Sequence, residues 1–190
     1  MTAIAAVANP RNEVGPGRAA EIEIRPVTAR DAEALSRLLN RLVGESPYLG
    51  PEPDEQEHRP DRLAAHLEQN LSGGRGIIVG AFRAGALVGY VEASSGGFRA
   101  NAHVVSVQGI GVLKAHQGGG IGHGLLSNLV LWARRQGKHR LALSVREDNE
   151  PARALYRRLG FEWEGTLRDQ SRSQGVYRAE HIMALILKDN

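Results

Sequence analysis

The chain of 190 residues has the length of one domain and contains no cysteine, which excludes disulfides, thiolate metal sites and a cysteine nucleophile. Its formal net charge is +3, with 42% apolar and 24% charged residues, which is typical of a folded domain and not of a disordered chain. Basic residues are mixed with acidic ones and only 5% of residues are aromatic, so we expect no nucleic-acid partner.

The first twenty residues are mostly small, contain Pro and Gly, and lack the basic start and apolar centre of a secretory signal. We expect residues 1–20 to form a disordered tail and residues 21–190 to form a single domain. No apolar run approaches the roughly 20 residues of a membrane span, so we expect no membrane association. The absence of cysteine is typical of a cytoplasmic protein.

The N-terminal part predicts one strand and two helices. Residues 21–24 alternate between glutamate and isoleucine as a strand does. Thr28 and Asp31 have the spacing of a helix capping box, and leucines follow at helical spacing. The Pro- and acid-rich stretch from Gly44 to Pro60 indicates a loop, and a second helix is expected around Asp61–Gln69.

Three strands are expected next. Two apolar runs flank a turn at Ala84–Gly85, which predicts a β-hairpin over residues 77–94, and a third strand follows over residues 103–112. The glycine-rich segment Gly118–Gly124 then leads into a helix that ends near Gln136, because Gly137 is a typical helix terminator.

The C-terminal part predicts a strand, a helix and two further strands. Residues 139–145 alternate, Asn149 is suited to cap a helix over Glu150–Leu159, and Gly160 ends that helix. Residues 161–168 and 180–187 predict the last two strands. The order βααβββαβαββ is that of a mixed α/β chain without an internal repeat.

The glycine-rich segment between a strand and a helix indicates a phosphate site. Unpaired N–H groups and the helix dipole attract an anion there, and glycine lets it approach because no Cβ intervenes. The P-loop pattern G-x-x-x-x-G-K-S/T fails, because Gly137 and Lys138 are followed by histidine. The dinucleotide pattern G-x-G-x-x-G also fails, since His123 and Leu125 stand where it needs glycine.

A third pattern, Q/R-x-x-G-x-G, fits residues 117–122. There the sequence resembles the acetyl-coenzyme A loop of the GNAT family of N-acetyltransferases. Residues 141–165 resemble the family's C-terminal motif, with Asn149, Ala152, Leu155–Tyr156 and Gly160–Phe161 at its characteristic positions. The resemblance extends over residues 21–187 and is strongest over residues 109–165. The last 23 residues of that range also resemble acetyltransferases of amino acids and small amines.

The resemblance implies a fold and an activity. The fold would be α/β (α+β), with a mixed, largely antiparallel sheet of about seven strands flanked by helices and splayed at the cofactor site. The activity would be direct transfer of an acetyl group from acetyl-CoA to the primary amine of a small molecule such as an amino acid. A protein N-terminal or lysine acetyltransferase and a non-catalytic coenzyme A sensor are the alternatives. Such folds commonly form homodimers through their last strands.

The resemblance also assigns cofactor-binding residues, and it implies no metal. The end of the strand expected over residues 103–112 would pair with the pantetheine arm of the cofactor. The glycine loop would hold the pyrophosphate, and the last helix would line the pantetheine arm. The residues are Ile110, Gly111 and Val112 for the strand, Gln117, Gly118, Gly119, Gly120, Ile121, Gly122 and His123 for the loop, and Asn149, Ala152 and Tyr156 for the helix.

Tyr156 is the expected general acid, because a tyrosine hydroxyl with a pKa near 10 can give a proton to the leaving thiolate. Many relatives carry a basic carboxylate two residues before the position of Gly109, where this chain has Val107. Glu92 is the candidate base and His103 another. A water relay, or capture of an already neutral amine, needs neither.

The acceptor site is expected between the acidic loop Glu45–Pro60 and the late loop Arg172–Tyr177. Four carboxylates in the first loop either attract a cationic amine or are simply solvated: Glu52, Asp54, Glu55 and Glu57. Gly124 has no place in the loop motif, and close helix packing is the expected reason for it.

Overall fold

The strands and helices follow each other in the expected order. The structure, a computed structural model, describes residues 21–49, 58–173 and 175–187. The strands are β1 (Ile22–Pro26), β2 (Gly76–Arg83), β3 (Ala86–Ser95), β4 (Val104–Val112), β5 (Arg140–Arg146), β6 (Glu162–Ser173) and β7 (Val176–Ile186). The helices are α1 (Ala32–Glu45), α2 (Pro60–Gly73), α3 (Ile121–Arg135) and α4 (Glu150–Arg158).

One seven-stranded sheet has the order β1-β2-β3-β4-β5-β7-β6. Its neighbours are antiparallel except β4 and β5, which are parallel and connected through α3. A parallel pair needs such a crossover, whereas the hairpin β2–β3 turns tightly at Ala84–Gly85, as expected. The predicted mixed, largely antiparallel sheet is confirmed.

β4 and β5 separate along most of their length. Their pairing is confined to Val104–Ser106 with Arg140–Ala142. β5 continues from Leu143 to Arg146 in register with β7, while β4 continues to Val112 in register with β3. The predicted splay is therefore present, and it opens at the carboxyl ends of the two parallel strands.

The capping residues predicted for the first helix act one turn earlier than the helix itself. The Asp31 carboxylate accepts hydrogen bonds from the backbone N–H and the hydroxyl of Thr28, both at 2.9 Å, across a short 3-10 turn. The same carboxylate accepts two bonds from the Arg25 guanidinium, which hold its pKa well below the ordinary range. α1 thus begins at Ala32 and is anchored to β1.

Three elements are longer than expected, and one of them, β7, begins at Val176 and not at residue 180. α2 runs to Gly73, past the expected end at Gln69, and stops at Gly74 with φ +60°. β6 begins at Glu162 and runs to Ser173, past the expected end at residue 168. Its last residues are polar on both faces and are held by pairing with β7, so they show no apolar alternation.

The hydrophobic core lies between the sheet and the helices. α3 buries one face made of five residues: Ile121, Leu125, Leu126, Leu129 and Ala133. It lies close to β1, because a Cβ at Gly124 would come within 2.5 Å of Ile24 Cδ1. The expected packing role of Gly124 is confirmed. In the part of the chain that the structure describes, no helix is long and apolar enough to cross a membrane.

Candidate active site

The separation of β4 and β5 opens a cavity of about 220 Å³. Its walls come from the ends of both strands, from α4 and from the segment that follows α1. Four of the predicted site residues line it together, namely Ile110, Asn149, Ala152 and Tyr156. Residues far apart in sequence are thus gathered at the predicted place.

The end of β4 offers an unpaired edge to this cavity. Ile110, Gly111 and Val112 pair with β3 on one side, and within the described residues no strand pairs with their other side. The register between β3 and β4 shifts by one residue at Gln108, a β-bulge next to the splay. Such an edge can bond an extended ligand that carries amide groups.

The glycine loop presents a row of free amides. The first α3 hydrogen bond runs from Gly124 N–H to Gly120 O, at 3.0 Å. Among the described residues, no backbone carbonyl accepts from the amides of residues 118–123. Gly118 and Gly120 have φ +80°, which favours glycine, and a Cβ at either would meet nothing within 4 Å. The loop is thus an open cradle at a helix N-terminus, the arrangement that binds phosphate groups.

Three loop residues make contacts that the sequence did not predict. Gln117 Nε2 donates to the Val112 carbonyl at 2.9 Å, so this side chain connects the loop to the end of β4. A Cβ at Gly122 would lie 3.1 Å from Leu155 Cδ2, which places the start of α3 against α4. His123 is exposed in the first turn of α3 and lies 3.4 Å from Ser127 Oγ.

Tyr156 lies at the inner wall of the cavity and is 5% exposed. Its ring centroid is 5.7 Å from that of Phe161, and burial raises the pKa of its hydroxyl to about 12. No described residue forms a hydrogen bond with this hydroxyl. A protonated, unpartnered hydroxyl facing a cavity can donate to a ligand there.

Asn149 both caps α4 and lines the cavity. Its side-chain oxygen accepts from the backbone N–H of Ala152 at 3.3 Å, which confirms the predicted cap. Ala152 and Tyr156 are one helical turn apart and therefore face the cavity together.

The family model of the GNAT acetyltransferases matches residues 37–161, which carry the cleft, the loop and α4. The chain belongs to the GNAT acetyltransferase family. It is therefore an acetyl-CoA-dependent N-acetyltransferase, and the open amide cradle and the unpaired β4 edge fit this cosubstrate.

Similar proteins of this family act on different amines. The chain is 34% identical over 156 residues to the N-alpha-acetyltransferase RimI of Mycobacterium tuberculosis, covering 82% of this chain and 87% of the relative. It is 31% identical over 161 residues to a phosphinothricin N-acetyltransferase of Streptomyces coelicolor, covering 83% and 92%. An acetyltransferase of Salmonella typhimurium, yncA, solved with its cofactor acetyl-CoA, superposes with a TM-score of 0.78 at 25% identity, covering 90% and 96%.

The candidate bases of this GNAT domain lie in different places. Glu92 lies on β3 opposite Gly109 of β4, and its Oε1 is 2.7 Å from His66 Nε2. Glu92 does not line the cavity. His103 lies just before β4, at the end where β4 and β5 are still paired, and is therefore remote from the splay. Val107 lines the cavity and brings no carboxylate to it.

The expected acceptor loops only partly reach the cavity of the GNAT domain. The Glu45 carboxylate accepts from the Lys114 amide at 2.8 Å and from Arg41 Nε at 2.7 Å, which lowers its pKa and secures α1 to the end of β4. Arg172 and Tyr177 are cross-strand neighbours beside the β6–β7 turn, with the guanidinium 5.3 Å from the centre of the tyrosine ring. Neither of these two residues lines the cavity. The four loop acids from Glu52 to Glu57 lie outside the described residues.

The cover of the cavity is formed by contacts that sequence spacing does not show. Arg146 donates two bonds to Asp148, at 2.7 and 3.0 Å, and a third to the Pro47 carbonyl at 2.7 Å. Its guanidinium lies 5.1 Å from the centre of the Tyr48 ring. These bonds fasten the segment after α1 over the cleft, although almost a hundred residues separate the partners. Glu180 of β7 also lines the cavity and was not predicted.

Proposed function

We propose that this GNAT enzyme acetylates the primary amine of a small molecule such as an amino acid. The observation that carries the proposal is Tyr156, which lines the cleft between β4 and β5 and whose hydroxyl has no hydrogen-bond partner among the described residues. Ser46, Tyr48 and Leu49 line one side of the cleft, whose cavity has a volume of about 220 Å³. A small cavity favours a small acceptor over a folded protein surface.

Acetyl-CoA supplies an activated acetyl thioester, and the following residues would hold it. The edge of Ile110–Val112 would pair with the amide groups of the pantetheine arm, beside Asn149 and Ala152. The amides of residues 118–123 would bind the pyrophosphate. Gln117 would keep the loop at the end of β4 through its bond to the Val112 carbonyl.

In the transfer, the amine lone pair forms a bond to the thioester carbonyl carbon and the carbon–sulfur bond then breaks. Tyr156 donates its proton to the departing sulfur, which yields a free thiol. The nitrogen loses one proton as the amide forms, and this proton returns to Tyr156 through water. The pKa near 12 keeps the hydroxyl protonated at neutral pH, as a general acid requires.

Removal of the proton from the incoming ammonium group is the second task. We propose Glu92 as a remote acceptor of this proton; because its carboxylate lies outside the cavity lining, where it contacts His66, a water relay would have to connect it to the amine. Burial lowers the pKa of His58, and the negative charge of Glu92 opposes this shift only in part. A neutral imidazole in this group could pass a proton to solvent.

A peptide N-terminus is the second candidate acceptor, because the chain is 34% identical to RimI, an N-alpha-acetyltransferase. The two candidates separate in one assay. The protein is mixed with acetyl-CoA and with amino acids, amino-acid amides, polyamines, aminoglycosides or peptides with an N-terminal alanine, and free thiol is followed. Faster release with small amines supports the proposal, and faster release with the peptides replaces it by the second candidate. Thiol release with none of them, despite tight coenzyme A binding, would identify a non-catalytic sensor.

A further inference from the structure

Glu180 is the single carboxylate among the described residues that line the cleft cavity. It lies on β7, half-buried, opposite Arg146 of β5 in the strand register. No described residue forms a hydrogen bond or an ion pair with its side chain. A half-buried carboxylate without a partner has lost part of its hydration and gains most from a cationic ligand.

The two neighbouring guanidinium groups are directed to Asp148 and not to Glu180. Arg146, the other charged residue in the lining, gives its hydrogen bonds to Asp148 and to the Pro47 carbonyl. Arg178 Nε is 3.7 Å from the same Asp148 carboxylate. Asp148 thus forms ion pairs with both guanidinium groups, although Arg178 Nε forms no hydrogen bond among the described residues. Glu180 interacts with Arg146 only through the longer-range Coulombic attraction between cross-strand neighbours, and its carboxylate has no hydrogen bond or ion pair of its own.

Glu180 and Tyr156 approach the cleft from opposite faces of the sheet. His181, the residue after Glu180, points towards α4, where it lines a second cavity with Arg153 and Arg157. Because side chains alternate along a strand, Glu180 points to the face that carries Arg146 and the segment after α1. An amine that enters the cleft from this face meets Glu180 at the near wall, and Tyr156 lies on the far side.

We propose that Glu180 binds the ammonium group of the acceptor in this cleft and that the enzyme prefers amines with a net positive charge. The inference rests on the proposed N-acetyltransferase function and adds a class of substrate to it. Amino-acid amides and diamines belong to this class. Amino acids with acidic side chains do not, because their carboxylates would face Glu180.

The test uses three acceptors that share an α-amino group: alaninamide, alanine and glutamate. For the unaltered protein, kcat/KM should fall in that order. Glu180→Gln should raise KM for alaninamide by about tenfold, since a charge-assisted hydrogen bond is lost, and should flatten the order. The Kd of coenzyme A should not change. Glu162→Gln is the matched control, because Glu162 is exposed and lines the other cavity.

Two results would overturn the inference while leaving the N-acetyltransferase proposal intact. One is an unchanged KM for alaninamide in Glu180→Gln with thiol release still present. The other is equal kcat/KM for alaninamide and glutamate in the unaltered protein. If Glu180→Gln does not fold, KM for alaninamide is measured for the unaltered protein at several salt concentrations. This KM should rise with ionic strength, because salt screens the attraction between Glu180 and the ammonium group. A KM that does not respond to salt contradicts the inference. Absence of thiol release with any amine would instead refute the proposed function.

Discussion

Gly124 of α3 lies directly on Ile24 of β1, so that an added Cβ would be 2.5 Å from Ile24 Cδ1. This contact sets how closely the helix behind the glycine loop approaches the edge of the sheet. The same helix carries the free amides of residues 121–123 at its start. Packing at β1 is thereby connected to the position of the glycine-loop amides.

We expect Gly124→Ala to destabilise the fold by ~1–3 kcal/mol, because overpacking at this contact outweighs the better helix propensity of alanine. Ile24→Val removes the clashing Cδ1 atom, so the double variant should be more stable than the sum of the two single changes predicts. Denaturant unfolding measures the cycle. Gly44→Ala in α1 is the control, where a Cβ meets nothing within 4 Å and stability should rise by up to ~1 kcal/mol. A stabilising Gly124→Ala would contradict the packing argument.

Tyr156→Phe should lower kcat by about 10²–10⁴-fold, the range expected when a general acid is removed. The Kd of coenzyme A should stay the same, since the hydroxyl has no hydrogen bond within the described residues that would support the site. Because the pKa of Tyr156 is about 12, the rate of the unaltered enzyme should keep rising to about pH 10 as more of the acceptor amine becomes neutral. A kcat equal to that of the unaltered enzyme would remove Tyr156 from the mechanism.

The buried tyrosines predict a loss of stability at high pH. Burial raises the pKa of both Tyr90 and Tyr156 to about 12, whereas the unfolded chain titrates near 10. The folded state therefore binds protons that the unfolded state has lost, so the free energy of unfolding should fall between pH 10 and 12, by up to ~3 kcal/mol per tyrosine. Denaturant titrations at pH 9 and pH 11 measure the difference.

Tyr90→Phe should make that loss smaller, and Tyr177→Phe, at an exposed position, should leave it unchanged. An equal loss of stability in all three proteins would assign the pH dependence to other groups.

Gly119 and Gly120 form a matched pair for the loop. A Cβ at either would meet nothing within 4 Å, but Gly120 has φ +80° and Gly119 does not have a left-handed φ. Gly120→Ala should strain the backbone by ~1–2 kcal/mol and raise KM for acetyl-CoA severalfold, whereas Gly119→Ala should have little effect. Steady-state kinetics with varied acetyl-CoA decide. Equal KM values for the two variants would show that the loop conformation does not determine cosubstrate binding.

Asp148→Asn should weaken acceptor binding from a distance. Without the Asp148 carboxylate, Arg146 loses its bidentate partner. The carboxylate that then lies nearest along the sheet is that of Glu180, opposite Arg146 on β7. Pairing of Arg146 with Glu180 would neutralise the acceptor carboxylate, so KM for alaninamide should rise with little change in kcat. Glu150→Gln, which removes the exposed partner of Arg153 and Arg157, is the control. Similar KM values for both variants would speak against this coupling.

Helix ends, turns and the glycine-rich loop could be predicted from the sequence, because their signals are local. The spacing of Gln117, Gly120 and Gly122 identified the loop, and Asn149 and Gly160 marked the two ends of α4. Helix caps and turns depend on bonds between residues three or four positions apart, and these can be read along the chain. The order of strands and helices was predicted for the same reason.

The groups that meet in the cleft could not be predicted from such local patterns. The Arg146–Pro47 bond, the contact of Gly124 with Ile24 and the place of Glu180 in the cavity join residues that lie far apart in sequence. Each depends on strand order and register, because a shift of one residue turns a strand's side chains to the opposite face. The acidic residue in "EHIMALIL" has no local pattern that distinguishes it from a solvated glutamate. That residue, Glu180, is distinguished by its place beside the cleft where β4 and β5 no longer pair, and by the ion pairs of both neighbouring arginines with Asp148.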